Sequence, residues 1–384
     1  MHPRIVLSVG NFFFSLFSTL AAYITLPFLA SYMPAAYTGF VVALGALGAI
    51  ICFSFLPHLV ARYGAQQLAL IFAVLEVIAL FALATTLSAF AAILLIAVMI
   101  ALQPLLSYEL DLLLEATVAE EGVTGRVRTL FLTAWNVASL AAPLLIGALL
   151  ANSNAYARIF LAAAAALVPF IVLFAARKLP RTAIPKLSHM RDTILCIVRD
   201  HDLAAVTVAH FLLYLFYVWA PLYVPIYLHN VLHIPWSSLG WMFAVMLIPY
   251  TLIEYPAGWI ADHLIGDKEL MFAGFLITGA ALASMSVISV SSPLIFILVI
   301  LVFSRIGAAL VESMTEAHFF RRVSERDVNS VSIFRGVWPL ADFVAPILGS
   351  LLLLAGGYET FFLSAGGFIA LAGGVTTLLI KDFR

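Results

Sequence analysis

Twelve apolar stretches of about 20 residues, parted by short polar breaks, decide what this chain can become. A helix of that length crosses the ~30 Å hydrocarbon core of a bilayer, where a backbone must satisfy its own hydrogen bonds. The stretches fall at roughly 5–30, 37–60, 66–87, 89–115, 127–151, 155–176, 201–228, 236–261, 269–289, 293–317, 330–355 and 358–380. With 64% hydrophobic and 10% charged residues, the chain has too few charges to cover a water-facing surface. The first stretch is too long for a signal-peptide core and lacks a clear cleavage site, so it reads as a retained span. Cys52 lies in an apolar stretch and Cys196 in a basic linker, which predicts no disulfide.

Lys and Arg fix the orientation. Sixteen of the 19 fall on the side of the N-terminus, among them Arg4, Arg62, Arg177, Lys178, Lys268, Arg321 and Lys381. Only Arg158 lies on the other side, while Arg305 and Arg335 fall within spans. The asymmetry predicts a multi-pass protein of the inner or plasma membrane with both termini in the cytoplasm. The basic, polar stretch 177–200, with Pro180 and Pro185, separates the sixth and seventh spans. It predicts halves 1–176 and 201–384 joined by a cytoplasmic linker, part of it an amphipathic helix around Met190 to Val198.

The halves repeat each other. Asn11-Phe-Phe-Phe-Ser-Leu-Phe aligns with His210-Phe-Leu-Leu-Tyr-Leu-Phe at an offset of 199 (210 − 11). Phe131, Trp135, Ala138, Ala142 and Pro143 align with Phe334, Trp338, Ala341, Ala345 and Pro346 at 203 (334 − 131). Duplicated halves in an apolar chain point to a transporter with its site between them.

Between the eighth and ninth spans, Gly258-Trp-Ile-Ala-Asp262-His-Leu-Ile-Gly266-Asp-Lys268 resembles the loop motif of the major facilitator superfamily. The matching loop of the first half keeps only Arg62 and Gly64; Ala61 stands where the family has its Asp, and Pro57, Ala65 and Gln66 depart as well. Ala142-Pro143 through Gly147, and Ala345-Pro346 through Gly349, look like degraded forms of the Gly-Pro motif of the family's antiporters. The resemblance implies an all-α membrane protein with twelve transmembrane helices in two pseudo-symmetric six-helix bundles. It implies that spans one, four, seven and ten line a central cavity, and that Arg62, Gly64, Gly258, Asp262 and Gly266 belong to gating loops.

Ionisable residues inside spans cost at least ~2.5–3.5 kcal/mol and mark function or pairing. On the fourth span, Tyr108, Asp111 and Glu115 share a face and Glu109 sits well round from Asp111. Arg305, Glu312 and Glu316 share a stripe on the tenth span, and Arg335 and Asp342 share one on the eleventh. Glu109 and Glu312 match at offset 203, an acidic pair repeated in both halves. Matched depths on antiparallel spans predict rungs Arg305–Asp342 and Glu312–Arg335, either structural salt bridges or a proton-coupling network that includes Glu109 and Asp111. Glu76 and Glu254 are lone acids.

Candidate solute-binding residues are His210, Tyr214 and Tyr217 on one face of the seventh span, and Asn11, Ser15 and Ser18 on the first, which serve equally well as helix-packing groups. Tyr108, Trp135, Asn136 and Trp338 complete the set. No phosphate loop, catalytic triad, metal-ligand cluster or nucleic-acid motif is present, so no cofactor or metal is expected and a gradient must supply energy. The reading is a monomeric secondary transporter of a small organic solute in the lipid bilayer, proton-coupled, leaning to drug/proton exchange. Proton-coupled uptake of a sugar-like metabolite stands second; a membrane sensor and a polytopic membrane enzyme are more remote.

Overall fold

A computed structural model describes residues 2–121, 124–180, 190–323 and 328–381. Its helices are α1 (Pro3–Leu29), α2 (Ala35–Tyr63), α3 (Ala65–Thr85), α4 (Ala89–Glu121), α5 (Thr124–Leu150), α6 (Ala157–Ala176), α7 (Met190–Arg199), α8 (His201–Ile226), α9 (Trp236–Ile260), α10 (Asp267–Ser284), α11 (Leu294–Arg322), α12 (Val328–Arg335) and α13 (Val337–Leu378). Among the described residues, ten helices are long and apolar enough to cross a membrane. One of them, α13, is two spans in succession, since Gly356 and Gly357 break the helix with φ of −171° and +71°. The eighth span, α9, completes twelve. The fold is all-α, with no strand among the described residues.

Two compact units divide the chain: Met1–Ile184 with Val224–Ala244, and Pro185–Tyr223 with Val245–Arg384. In the first unit, α1 packs on α5 and α6, α3 on α4 and α6, and α2 on α4. The segment 224–244 belongs here through close backbone contact: a Cβ on Gly240 would stand 2.8 Å from the Gly147 Cα. There too, His229 Nε2 lies 2.6 Å from Asn154 Oδ1, and Trp236 meets Tyr156 edge-on. In the second unit, α10 packs on α11 and α13, and the linker helix α7 rests on α12.

Each unit closes one end in the same way. Gly64 and Gly266, 202 residues apart, both hold φ above +80° with extended ψ, a region open essentially to glycine alone. Two residues on, Gln66 donates to the carbonyls of Phe174 and Arg177 at the end of α6 and accepts from Leu179 N–H. At the equivalent place, Lys268 Nζ donates to Leu378 and Ile380 at the end of α13, at 3.0 and 2.9 Å. The last carbonyls of a helix need outside donors, and a cation there also meets the negative end of the helix dipole. One chemical device, neutral in the first unit and charged in the second, thus ties the third span of each unit to its sixth.

Candidate functional site

The second unit carries an aromatic and acidic wall built on α8. Pro346 and its neighbour in α13 are anchored from α8: Trp219 Nε1 donates to Ala345 O at 2.7 Å and Tyr223 Oη to Pro346 O at 2.9 Å. Gly349 makes this possible, because a Cβ there would stand 2.5 Å from the Tyr223 ring. One and two turns earlier along α8, Tyr214 and Tyr217 are half-buried on a common face. Tyr214 stacks on Trp338 with centroids 6.2 Å apart and meets Tyr217 edge-on at 5.6 Å. Tyr217 donates to Glu312 Oε2 at 2.5 Å, and its ring lies 6.0 Å from Tyr250.

His210 sits beneath this wall, 2% exposed, stacked on Phe334 at 4.0 Å. Its Nδ1 is 3.3 Å from Thr315 Oγ1. The Thr315 hydroxyl already donates to the Glu312 carbonyl, so the histidine is the donor in this contact. Tyr214 lies within electrostatic reach of Glu312, Glu316, Arg335 and Asp342. Trp338, Glu312 and Asp342 are all at least partly exposed on the same unit. The expected rungs are not among the ion pairs of the described residues: Arg305 lies over the Phe216 ring at 4.9 Å, and Glu312 faces Tyr217. Arg335 ends α12 at an exposed position, ahead of the break at Gly336 that restarts the span.

In the first unit, Glu109 faces inward and Asp111 and Glu115 face outward, the arrangement that the helical spacing on α4 requires. Glu109 is 0% exposed and neither carboxyl oxygen has a hydrogen-bond partner. Glu76 on α3 is in the same condition. Tyr108 meets Phe53 edge-on at 5.8 Å. Asn11 is no open solute contact here: its Nδ2 donates to Phe131 O on α5 at 2.9 Å, and Ser15 turns back to Asn11 O at 2.6 Å. Ser18 accepts from Gln103 of α4. The polar stripe of α1 thus joins helices, as buried polar groups in a membrane bundle do. Trp135 lies against Phe14, and Asn136 is exposed. Of the loop residues, Arg62 lies over Tyr63 at 5.2 Å, and a Cβ on Gly258 would meet open space. The side chains of Asp262 and Glu254 lie outside those described.

A second constellation, unforeseen in the sequence, knots the linker end of the second unit. Asp202, 0% exposed, accepts from Lys381 N–H at 2.7 Å and from Arg322 at 3.0 Å, and its Oδ2 is 3.1 Å from His318 Nε2. The other ring nitrogen of His318 lies 3.7 Å from Asp267 Oδ2, which accepts from Arg321 at 2.8 Å. Arg322 also reaches Asp200 at 2.7 Å. Asp200 caps α8 through bonds from Asp202 and Leu203 N–H at 3.0 and 3.3 Å. Partial burial raises the Asp200 carboxyl, but those two backbone donors and the Arg322 guanidinium outweigh it and hold the group below its usual range. The sign follows: a depressed carboxyl stabilises the fold above about pH 4 and loses that contribution as the pH falls through its folded value. Unfolding scans across acid pH are expected to show Asp200→Asn flatter than the parent protein below about pH 4.

Fold and sequence now agree on the class. A family model described as Major Facilitator Superfamily matches residues 206–382. The nucleoside transporter NupG superposes with a TM-score of 0.77 at 13% identity, covering 99% of this chain and 99% of that one. A peptide transporter, POT, in complex with sulfate gives 0.76 at 13% identity over 97% of this chain and 93% of that one. No curated protein matches the sequence. Over residues 206–382 the sequence is similar to the major facilitator superfamily, and over its whole length the chain is a multi-pass helical fold similar to that of these two transporters.

Proposed function

We propose that the chain moves a small, ring-bearing organic solute across the plasma membrane by alternating access, as a monomer, in exchange for protons. The observation that carries the proton is Glu109. Its buried carboxyl lacks any hydrogen-bond partner, whereas its repeat mate Glu312 holds a tyrosine hydroxyl. An ionised carboxylate in the setting of Glu109 would be an uncompensated buried charge, and the neutral acid would not. Two equivalent acids in unlike settings are what a carrier needs in order to load a proton in one state and release it in another. The solute is read from the rings of Tyr214, Tyr217 and Trp338 beside Glu312 and Asp342. Flat surfaces next to carboxylates suit a planar body with hydrogen-bond donors. Nucleosides, in view of the similarity to NupG, and aromatic amines head the panel of solutes to test. The Ala142-Pro143 and Ala345-Pro346 motifs favour exchange over symport.

The experiment is uptake of that panel into proteoliposomes with and without an imposed pH gradient. Accumulation that follows the gradient supports the reading; a solute that only equilibrates refutes it. Orientation has its own test. In a chain with Cys52→Ala and Cys196→Ala, a cysteine introduced by Lys178→Cys is expected to react with an impermeant thiol reagent only after cells are opened. Labelling from outside intact cells would reverse the topology.

A further inference from the structure

Segment 224–244 is fastened to the rest of the first unit at the end away from the linker, and the fastening is strained. Two non-glycine residues among those described hold a positive φ, Ala151 at 50° and His233 at 56°. Both lie here, one on each side of the contact. The Ala151 carbonyl accepts from Ser237 N–H at 3.1 Å. His233 turns the chain so that Ile234 N–H reaches back to Leu228 O at 3.0 Å, across the widened π turn Tyr227–Val231. Left-handed backbone without a glycine stores strain, single π turns are rare, and both gather at functional sites. Beside them the helices cross with no slack, since a Cβ on Gly240 would stand 2.6 Å from Pro143 O.

His229, in the π turn, closes the fastening. Its Nδ1 is 2.9 Å from Ile234 O and its Nε2 is 2.6 Å from Asn154 Oδ1, while its ring lies 4.6 Å from that of Trp236. Both partners are oxygens that accept. A neutral imidazole has one N–H and serves one of them, leaving its other lone pair against an oxygen; the imidazolium serves both. The titratable and charged groups around it are His233 in the same turn, Tyr156 edge-on to Trp236, and Arg158, whose Nη1 donates to Leu149 O at 3.1 Å. We infer that His229 is a proton-operated latch, which holds segment 224–244 on the turn between α5 and α6 when charged and lets the strained turn go when neutral. The sign follows: the charged form favours the fastened state, so the fastening is strongest in acid and weakens as the pH on that side rises. Under the topology proposed above that side is the outside, and the latch makes opening there answer to external pH independently of Glu109 and Glu312.

The test uses the full chain in nanodiscs, with Cys52→Ala and Cys196→Ala, and spin labels attached through Asn152→Cys and Val231→Cys. Both positions are exposed, one on each side of the contact. Distance distributions are read by electron paramagnetic resonance across the pH range in which histidines titrate. A short-distance population is expected to predominate at about pH 5, and a longer one to grow about tenfold relative to it by about pH 8. His229→Gln should abolish this response. His233→Asn, which tolerates the left-handed turn, should leave it intact. Asn154→Asp replaces the amide with a carboxylate that can only accept, and should keep the short population dominant at about pH 8. A distribution unmoved by pH in the parent chain overturns the latch, and would mean that the Asn154 amide presents its nitrogen to a neutral ring. So does a response that survives His229→Gln, or one in which Asn154→Asp favours the longer distance. No solute or gradient enters the measurement, so a failure of proton-coupled transport in the assays above leaves its outcome unchanged.

Discussion

Accumulation of solute against a gradient is expected to vanish in Glu109→Gln and in Glu312→Gln, while exchange of labelled for unlabelled solute persists in both. Glutamine keeps nearly the shape of glutamic acid and cannot gain or lose the proton. A carrier so altered can still turn over with solute bound on both sides. The two variants should differ in solute affinity. Glu109 is fully buried without a partner, so Glu109→Gln leaves the aromatic wall alone. Glu312→Gln replaces the acceptor of the Tyr217 hydroxyl and should also weaken binding about two- to twelvefold, the worth of a hydrogen bond of roughly 0.5–1.5 kcal/mol. Counterflow assays read the first effect and binding isotherms the second. Gradient-driven accumulation at parental levels in both variants would remove this pair from the coupling path.

The largest structural effect is expected at Asp202. Its carboxylate is buried among His318, Arg322 and the Lys381 N–H, so Asp202→Asn leaves a guanidinium and an imidazole facing a neutral amide. Removing one partner from a buried ionic cluster costs ~3–5 kcal/mol. The thermal midpoint of the detergent-solubilised protein should fall by several degrees. Arg321→Gln is the control, since the Arg321 side chain is 42% exposed and its bond to Asp267 is worth about 1 kcal/mol or less. Equal losses from the two variants would mean that the knot is an ordinary surface pair.

Helical periodicity and charge made much of this legible in the sequence. Span lengths gave the all-α fold, and the spacing along α4 separated inward Glu109 from outward Asp111 and Glu115. The stripe of His210, Tyr214 and Tyr217 did fall on one face, although only the tyrosines reach the surface. Other features were hidden for identifiable reasons. Depth along a helix says nothing of rotation about it, which is why Arg305 lies over Phe216 and not beside Asp342. Asn11 and Ser15 looked like lining because polarity alone cannot tell a cavity from a neighbouring helix. Gln66 looked like a lost basic residue, yet its amide caps α6 as Lys268 caps α13. The knot joins Asp202, Asp267 and His318 from three span ends, each an unremarked polar residue at a helix terminus. No local pattern could have joined them. Segment 224–244 packs with the N-terminal bundle through Gly147 and Gly240, a contact that no hydropathy profile records.

The central claim is that solute and proton movement are one cycle. Its most direct test is the luminal pH of proteoliposomes, read with a trapped pH-sensitive dye while solute is added outside at zero membrane potential. Exchange predicts that solute entry drives protons out, so the lumen turns alkaline in proportion to the solute taken up, and that Glu109→Gln abolishes the change. Solute entry with the luminal pH unmoved, in the parent protein, would contradict it.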